Sequence, residues 1–193
     1  MSSHSIDTDL VERIRARLSQ PVVLIGLMGA GKSRLGRMLA DALALPFTDS
    51  DDEVEKAAGM SISEIFERFG EPSFRDGEHR VIKRLLLEEG AKVVATGGGA
   101  VMREDTAEIV FSKTLSLWVR ADIDVMIERV GRTDKRPLLR DGDPATILEG
   151  LMEKRYPVYG KADIIIESHN GPAEAILNQA LSKLHTHLIK KAR

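Results

Sequence analysis

The feature that most constrains this chain is a glycine-rich turn that directly follows an apolar run. Residues 21–36, PVVLIGLMGAGKSRLG, contain four consecutive apolar residues, followed within eight residues by three glycines, a lysine and a serine. Residues 26–33 satisfy the pattern G-x-x-x-x-G-K-S/T, in which glycines let successive backbone N–H groups point at a bound anion. The helix expected from Lys32 onward directs its unpaired N–H groups and positive dipole end at the same point. The segment therefore predicts a strand, a phosphate-binding loop and a helix.

The residue types in this loop predict a nucleoside triphosphate and a metal ion. Lys32 is expected to reach the β- and γ-phosphates, and the Ser33 hydroxyl to bind Mg²⁺. The alternative is a strand, a turn and a helix cap that happen to contain Lys32. The position of the motif between an apolar run and a periodic helix argues against that alternative. The other residues predicted to contact ATP are Gly29, Ala30, Gly31 and Arg34.

Further apolar runs predict the rest of a sheet. Residues 22–26, 92–96, 115–119 and 163–168 are nearly continuous in apolar residues, as strands covered on both faces should be. A weaker fifth run lies at residues 45–49, and helical segments separate the runs. Strands that alternate with helices predict an α/β fold with a parallel sheet and right-handed crossovers.

Length and composition restrict the class of protein. A chain of 193 residues suits a single domain, here 1–193, with an N-terminal helical extension over residues 1–20. A net charge of −2 gives no reason to expect a nucleic-acid partner. The absence of cysteine excludes disulfides and fits a reducing compartment. No apolar run is long enough for a signal peptide or a membrane span, so we expect a cytoplasmic protein that binds no membrane.

Two carboxylates follow the run at 45–49. Asp49 and Asp51 are two residues apart, so at the end of an extended segment they would share one face. The strand that bears them is expected to neighbour the phosphate loop, which would place one carboxylate near Mg²⁺ and the other near an acceptor hydroxyl. The alternative is that these acidic residues only cap a helix.

Two arginines are candidates for binding a substrate carboxylate. The planar guanidinium of Arg75 suits bidentate capture of a carboxylate, but an ordinary surface pair with Glu71 or Glu78 explains the same residues. Arg155, near the end of a later helix, is a second candidate and is weak in isolation.

A glycine triplet and an arginine-rich loop complete the candidate site. Gly97, Gly98 and Gly99 follow an apolar run, so they are expected at the carboxyl end of a strand, where a substrate can approach bare backbone. The loop 131–143 contains Arg132 and Arg136. Beside a triphosphate site it suits a closing lid that excludes water, and its alternative is a solvated basic loop.

Taken together, these segments resemble the shikimate kinase family. The resemblance rests on GLMGAGKS, FTDSDDEVE, SISEIFERFGEPSFRDGE, TGGGAV, RPLL and RYPVYGKAD, which occur in the family's order across residues 21–168. It implies a three-layer αβα P-loop kinase fold with a five-stranded parallel sheet, a helical substrate-binding segment (49–90) and a lid (131–143). It also implies transfer of the γ-phosphate of ATP to the 3-hydroxyl of shikimate, with Mg²⁺, in the route to aromatic amino acids.

The resemblance assigns roles to individual residues. Asp51 would hold the shikimate hydroxyls and act as the base, and Asp49 would lie near Mg²⁺. Arg75 and Arg155 would bind the carboxylate, and the triplet 97–99 would line the pocket of the ring.

The lid receives two further assignments from the same resemblance. Arg136 would bridge phosphate and substrate as part of the catalytic set, and Arg132 would lie near the adenine. The implied partners are ATP and shikimate, and the implied assembly is a monomer.

Two alternatives remain open. Another small metabolite kinase, such as a gluconate kinase, would need the phosphate loop but neither the Arg75 element nor the glycine triplet. A regulatory nucleotide switch would need a guanine-reading N-K-x-D segment, which the sequence lacks.

Overall fold

The structure is a computed structural model that describes residues 7–130 and 143–191. Helices and strands alternate along most of it. In chain order the elements are α1 (Thr8–Arg15), β1 (Val22–Ile25), α2 (Lys32–Leu43), β2 (Phe47–Asp49), α3 (Ser50–Ala58), α4 (Ile62–Leu87), β3 (Val93–Ala95), a 3₁₀ turn (Ala100–Met102), α5 (Glu104–Lys113), β4 (Leu115–Ala121), α6 (Ile123–Val130), α7 (Pro144–Tyr159), β5 (Ile164–Ser168) and α8 (Ala173–Lys191).

The five strands form one parallel sheet in the order β2-β3-β1-β4-β5. The central strand β1 is buried along its whole length, and Leu24 lies opposite Ala95 on one side and Leu117 on the other. The predicted α/β fold with a five-stranded parallel sheet is therefore confirmed. Because the strands are parallel, all their carboxyl ends meet at one edge, where ligands of such sheets bind.

Strand β2 lies at the edge of the sheet, and its carboxyl end still reaches the phosphate loop. The strand that ends in Asp49 does not neighbour β1, because β3 lies between them. The prediction that this strand adjoins the phosphate loop is nevertheless confirmed, because Asp49 at its end accepts from the Ser33 hydroxyl at 2.6 Å. What connects the two is α2, which packs over β2 at Gly36. A Cβ atom at Gly36 would lie 2.6 Å from the Phe47 ring, so this close approach of helix and strand needs a glycine.

The N-terminal helix α1 packs against α8 and α2. Val11 and Ile14 are buried, and Asp7 caps the helix by accepting from the N–H groups of Asp9 and Leu10. Burial of each large aliphatic side chain contributes about 1.5–3 kcal/mol. Residues 8–15 are thus part of the packed structure.

Helix α4, in the segment predicted to bind substrate, contains a kink. A capping box of Ser61 and Glu64 is present at its start. Gly70, with φ 77° and ψ 170°, interrupts the helix just before Pro72. The second half, residues 71–87, therefore runs in its own direction and presents one face to the carboxyl edge of the sheet. No helix among the described residues is both long and apolar enough to cross a membrane.

Candidate active site

The loop after β1 has the backbone that an anion site needs. Gly29 has a φ of +79°, and a Cβ atom there would lie 2.9 Å from the carbonyl oxygen of Met126. Gly31 is the N-cap of α2 and has no side chain that could accept from the first-turn N–H groups of that helix. Lys32 folds back over the loop and donates to the carbonyl of Leu27 at 3.0 Å. The loop thus combines exposed backbone amides with an ammonium group.

A cavity of about 680 Å³ opens beside this loop. Its walls come from the loop, the start of α2, the end of α6 and the segment that follows β5. The residues that line it include Gly29, Gly31, Lys32, Ser33, Arg34 and Arg129, together with residues 167–173. Its size and its position at the carboxyl edge suit a nucleotide.

Arg129 is a component of this cavity that the sequence analysis missed. Its guanidinium donates to the carbonyls of Gly29 and Ala30, both at 3.2 Å, to the Ser168 hydroxyl at 3.0 Å and to the His169 carbonyl at 3.1 Å. It therefore joins the phosphate loop to the segment after β5. Desolvation, and then the positive charge of a neighbouring arginine, lower its pKa. An arginine in the last turn of a helix ordinarily complements the helix dipole, so its spacing gave no separate signal.

Asp49 contacts the phosphate loop and also caps a helix. One carboxylate oxygen accepts from the Ser33 hydroxyl at 2.6 Å, and the other caps α3 by accepting from the N–H of Asp51 at 3.1 Å. Asp51 lies in the first turn of that helix, so the two carboxylates do not share the face of an extended segment as predicted. The reason is that the helix begins at Ser50, directly after the strand.

Asp51 lies in an environment that disfavours its charge. Burial, then the negative charges of Asp49 and Glu78, raise its pKa from 3.8 to about 6, while Lys32 and Arg75 act in the opposite direction. At neutral pH the group is mostly ionised, but it accepts a proton more readily than an exposed aspartate. A pKa near the working pH is what a general base needs.

Arg75 forms a partly buried ion-pair cluster on α4 rather than a surface pair. It contacts Glu78 at 2.7 Å and Glu71 at 3.0 Å, and its own side chain is 19% exposed. Glu78 is 2% exposed, and burial raises its pKa while the charge of Arg75 opposes that rise. Glu78 was not among the predicted site residues and was expected only as a partner of Arg75. Its spacing is that of any helical pair, and only its burial distinguishes it.

The carboxylates of Glu78 and Asp51 lie directly against the backbone of Gly97. A Cβ atom there would lie 2.5 Å from Glu78 Oε1 and 2.8 Å from Asp51 Oδ1. Neither oxygen has a hydrogen-bond partner among the described residues. The Gly97 N–H donates to the buried Ser50 hydroxyl at 3.2 Å, which fixes the start of the triplet against α3. These two carboxylate oxygens face the same point beside Gly97 and can each accept a hydrogen bond. A substrate with several hydroxyl groups would supply the donors.

The other two glycines face the two arginines. A Cβ atom at Gly98 would lie 3.3 Å from a terminal nitrogen of Arg155, and one at Gly99 would lie 2.6 Å from the guanidinium carbon of Arg75. Arg155 is 8% exposed, although it carries a charge. The structure therefore brings together Asp51, both predicted carboxylate-binding arginines and the glycine triplet at one edge of the sheet.

The predicted lid is mostly outside the described residues. Arg132 and Arg136 both lie there, with the whole segment 131–142. Asp143 is described and caps α7 by accepting from the Thr146 N–H at 3.0 Å, and Pro144 follows it in the first turn.

The described residues contain no group of three or more His, Cys, Asp or Glu side chains that could hold a metal ion. A cation at this site would therefore take its ligands from the Ser33–Asp49 pair and from bound phosphate, which is the usual arrangement for Mg²⁺. A second cavity, of about 540 Å³, lies on the other face of α4 and is lined by none of the predicted site residues.

Comparison with known proteins is consistent with this geometry. The family model described as shikimate kinase matches residues 28–185. A shikimate kinase of Rhodopseudomonas palustris is 52% identical over 92% of this chain and 87% of its own length. One of Caulobacter vibrioides is 50% identical over 86% of this chain and 84% of its own length. Among solved structures, shikimate kinase from Acinetobacter baumannii in complex with shikimate has a TM-score of 0.84 at 32% identity, covering 90% of this chain and 97% of that one.

Proposed function

The chain belongs to the shikimate kinase family, and from that premise we propose that it transfers the γ-phosphate of ATP to the 3-hydroxyl of shikimate. The observation that carries the proposal is the convergence of three groups at one sheet edge. A phosphate loop, a carboxylate of raised pKa and two shielded guanidiniums meet around residues 97–99. Binding a nucleotide alone would need neither the carboxylate nor the second arginine.

The phosphate side of the site is formed by the loop and the start of α2. The backbone amides around Gly29 and Gly31 hold the phosphates, and Lys32 neutralises charge on the group in transfer. Ser33 and Asp49 fit a role in holding Mg²⁺, because their oxygens already lie 2.6 Å apart. Bound there, the ion would neutralise charge on the β- and γ-phosphates. The cavity beside Arg34 and Arg129 is where the rest of the nucleotide would lie.

The acceptor side uses Asp51. Its Oδ1 has no hydrogen-bond partner among the described residues, so it is available to a substrate hydroxyl. As the hydroxyl oxygen forms its bond to the γ-phosphorus, the bond from phosphorus to the β–γ bridging oxygen breaks and ADP leaves. The hydroxyl proton passes to Asp51, whose pKa of about 6 suits it to accept and later release that proton.

The substrate carboxylate would bind to Arg75 and Arg155. Both guanidiniums face a glycine, so a carboxylate can approach them without meeting a side chain from the strand end. Glu71 and Glu78 hold Arg75 in place through 3.0 and 2.7 Å contacts. A planar guanidinium that is already oriented loses little freedom when it binds a carboxylate.

Other parts of the proposal rest on the family resemblance alone. Arg136 would bridge the transferring phosphate and the substrate, Arg132 would lie near the adenine, and segment 131–143 would close over the site. The enzyme would work in the cytoplasm as a monomer, with ATP and shikimate as its partners and no nucleic acid or membrane. Size-exclusion chromatography with light scattering tests the monomer.

The decisive experiment is a coupled ADP-release assay with Mg²⁺ and ATP. Shikimate should give fast turnover, whereas quinate, gluconate and nucleoside monophosphates should give little. Equal turnover with gluconate, or no response to shikimate, would refute the proposal.

A matched pair of variants on α4 tests the carboxylate site. Arg75→Ala should raise the shikimate KM strongly, because loss of a charged contact to a desolvated carboxylate costs about 2–5 kcal/mol. Arg80→Ala removes an exposed guanidinium from the same helix and should leave KM unchanged. The ATP Kd, measured without shikimate, should be the same in both. An unchanged shikimate KM in Arg75→Ala would show that Arg75 does not bind the substrate and only forms ion pairs with Glu71 and Glu78.

A further inference from the structure

Tyr159, the last residue of α7, has a buried hydroxyl for which the proposed mechanism has no use. Its side chain is completely buried, and the hydroxyl donates a hydrogen bond to the carbonyl of Gly98. The ring packs against Trp118 and Tyr156, with centroids 5.9 and 6.2 Å away. These aromatic contacts fix the direction in which the phenol points.

The same hydroxyl lies beside Arg155. Arg155 precedes Tyr159 by one helical turn, so both side chains leave the same face of α7. A terminal nitrogen of Arg155 lies 3.3 Å from where a Cβ atom of Gly98 would be. Burial raises the pKa of Tyr159 to about 12, and the charge and hydrogen bond of Arg155 oppose that rise. At neutral pH the phenol is therefore uncharged. It donates to the Gly98 carbonyl and is hydrogen-bonded to Arg155.

We propose that Tyr159 is a positioning residue for the acceptor site, and that its hydroxyl fixes Arg155 and Gly98 relative to each other. Tyr159 does not touch the substrate in this proposal, which rests on the proposed function. It acts through the arginine that binds the carboxylate and through the backbone beside that arginine.

The hydroxyl, rather than the ring, carries this role. A phenylalanine would fill the same space and keep the contacts with Trp118 and Tyr156. Burying a hydroxyl is unfavourable unless it is hydrogen-bonded, and its bonds here go to two components of the acceptor site. Gly98 lies beyond the last residue of β3, so its carbonyl is not held by the pairing of that strand.

The test compares Tyr159→Phe with Tyr156→Phe. Tyr156 is in the same helix and the same aromatic cluster, where its ring lies 4.8 Å from that of Trp118. Its hydroxyl makes no hydrogen bond to the residues that the structure describes. Losing one neutral hydrogen bond corresponds to roughly a 3- to 10-fold change in an equilibrium. We expect the shikimate KM and Kd to rise by that factor in Tyr159→Phe, with the ATP Kd within about twofold. Tyr156→Phe should match the parent in all three.

Two further measurements separate positioning from mere support of the fold. The preference for shikimate over its methyl ester, expressed as a ratio of kcat/KM, should shrink in Tyr159→Phe, because the ester lacks the charge that Arg155 binds. In the Arg155→Lys background, Tyr159→Phe should raise KM by a smaller factor than in the parent, because the two residues act together.

A shikimate KM and ester preference equal to those of the parent would overturn the proposal, even if the melting temperature falls. So would independent factors that simply multiply in the double variant. Failure of the proposed function looks different, because the unmodified enzyme would then release no ADP in response to shikimate.

Discussion

Replacing Asp51 by asparagine should make the protein more stable and much less active. The pKa of Asp51 rises from 3.8 to about 6 on folding, mainly because the carboxylate is buried and then because Asp49 and Glu78 are nearby. A rise of about two units, at 1.36 kcal/mol each, means that the ionised group lowers the free energy of unfolding by at most about 3 kcal/mol. Asparagine has nearly the same shape, caps or begins a helix equally well and carries no charge.

The stabilising effect of Asp51→Asn should depend on pH. Because the pKa is higher in the folded state, the parent has its full stability below pH 4 and loses it as the pH rises towards 6. The melting temperature of Asp51→Asn should therefore match that of the parent near pH 4 and exceed it above pH 7. For a domain of this size, 1 kcal/mol corresponds to about 2–4 °C, so we expect several degrees and at most about 12 °C.

The assay is thermal unfolding without ATP or Mg²⁺ across this pH range, followed by kcat at saturating shikimate. General-base assistance contributes about 10²–10⁴ in rate, and the lower end is expected for a kinase, so kcat should fall about 100-fold. Asp52→Asn is the control, since Asp52 is exposed in the same helical turn and should change neither quantity much. A melting temperature at pH 7.5 that is unchanged or lower would refute the burial argument. A kcat of Asp51→Asn equal to that of the parent would refute the role of Asp51 as the general base.

The other predictions concern pH, the metal ligands and two glycines. The kcat/KM for shikimate should fall about tenfold per pH unit below pH 6, where Asp51 becomes protonated; a flat profile down to pH 5 would contradict this. Ser33→Ala should raise the Mg²⁺ concentration that gives half-maximal rate about tenfold or more while the fold melts normally, and an unchanged requirement would exclude the hydroxyl as a ligand. Gly36→Ala should lower the melting temperature by several degrees through the clash with Phe47, checked by calorimetry, because such overpacking costs about 1–3 kcal/mol. Gly99→Ala should displace the Arg75 guanidinium and raise the shikimate KM at least about tenfold with little change in ATP binding, and a parental KM would show that the arginine is not held there.

The parts of the fold that sequence predicted are those set by local pattern. Continuous apolar runs identified the strands, and the glycine spacing identified the phosphate loop between Gly26 and Ser33. Sheet order was not accessible in this way, since it depends on which strands pair across long separations. Asp49 was predicted to lie near the loop, but the packing of α2 on β2, which brings it there although β3 separates β2 from β1, was not predicted.

The parts of the site that sequence missed have ordinary local explanations. Glu78 is three residues from Arg75, which is also the spacing of a surface pair, and only tertiary burial changes its meaning. Arg129 ends a helix, where basic residues are common, and its contacts reach residues about 40 and 100 positions away. Long-range contacts of this kind leave no periodic signal in a single sequence.

The glycine triplet has a consequence for changing what this enzyme accepts. Residues 97–99 already contain no side-chain atoms, and together they face four charged groups on α3, α4 and α7. The strand end therefore offers no volume to remove when a larger acceptor is wanted, and an added Cβ atom would lie 2.4–3.3 Å from the nearest of these charged side chains. Specificity can be redesigned only from the helices that cover the triplet, by exchanging residues such as Arg75 and Arg155 together. A library directed at these helix positions should yield altered acceptors, whereas one directed at residues 97–99 should yield inactive proteins.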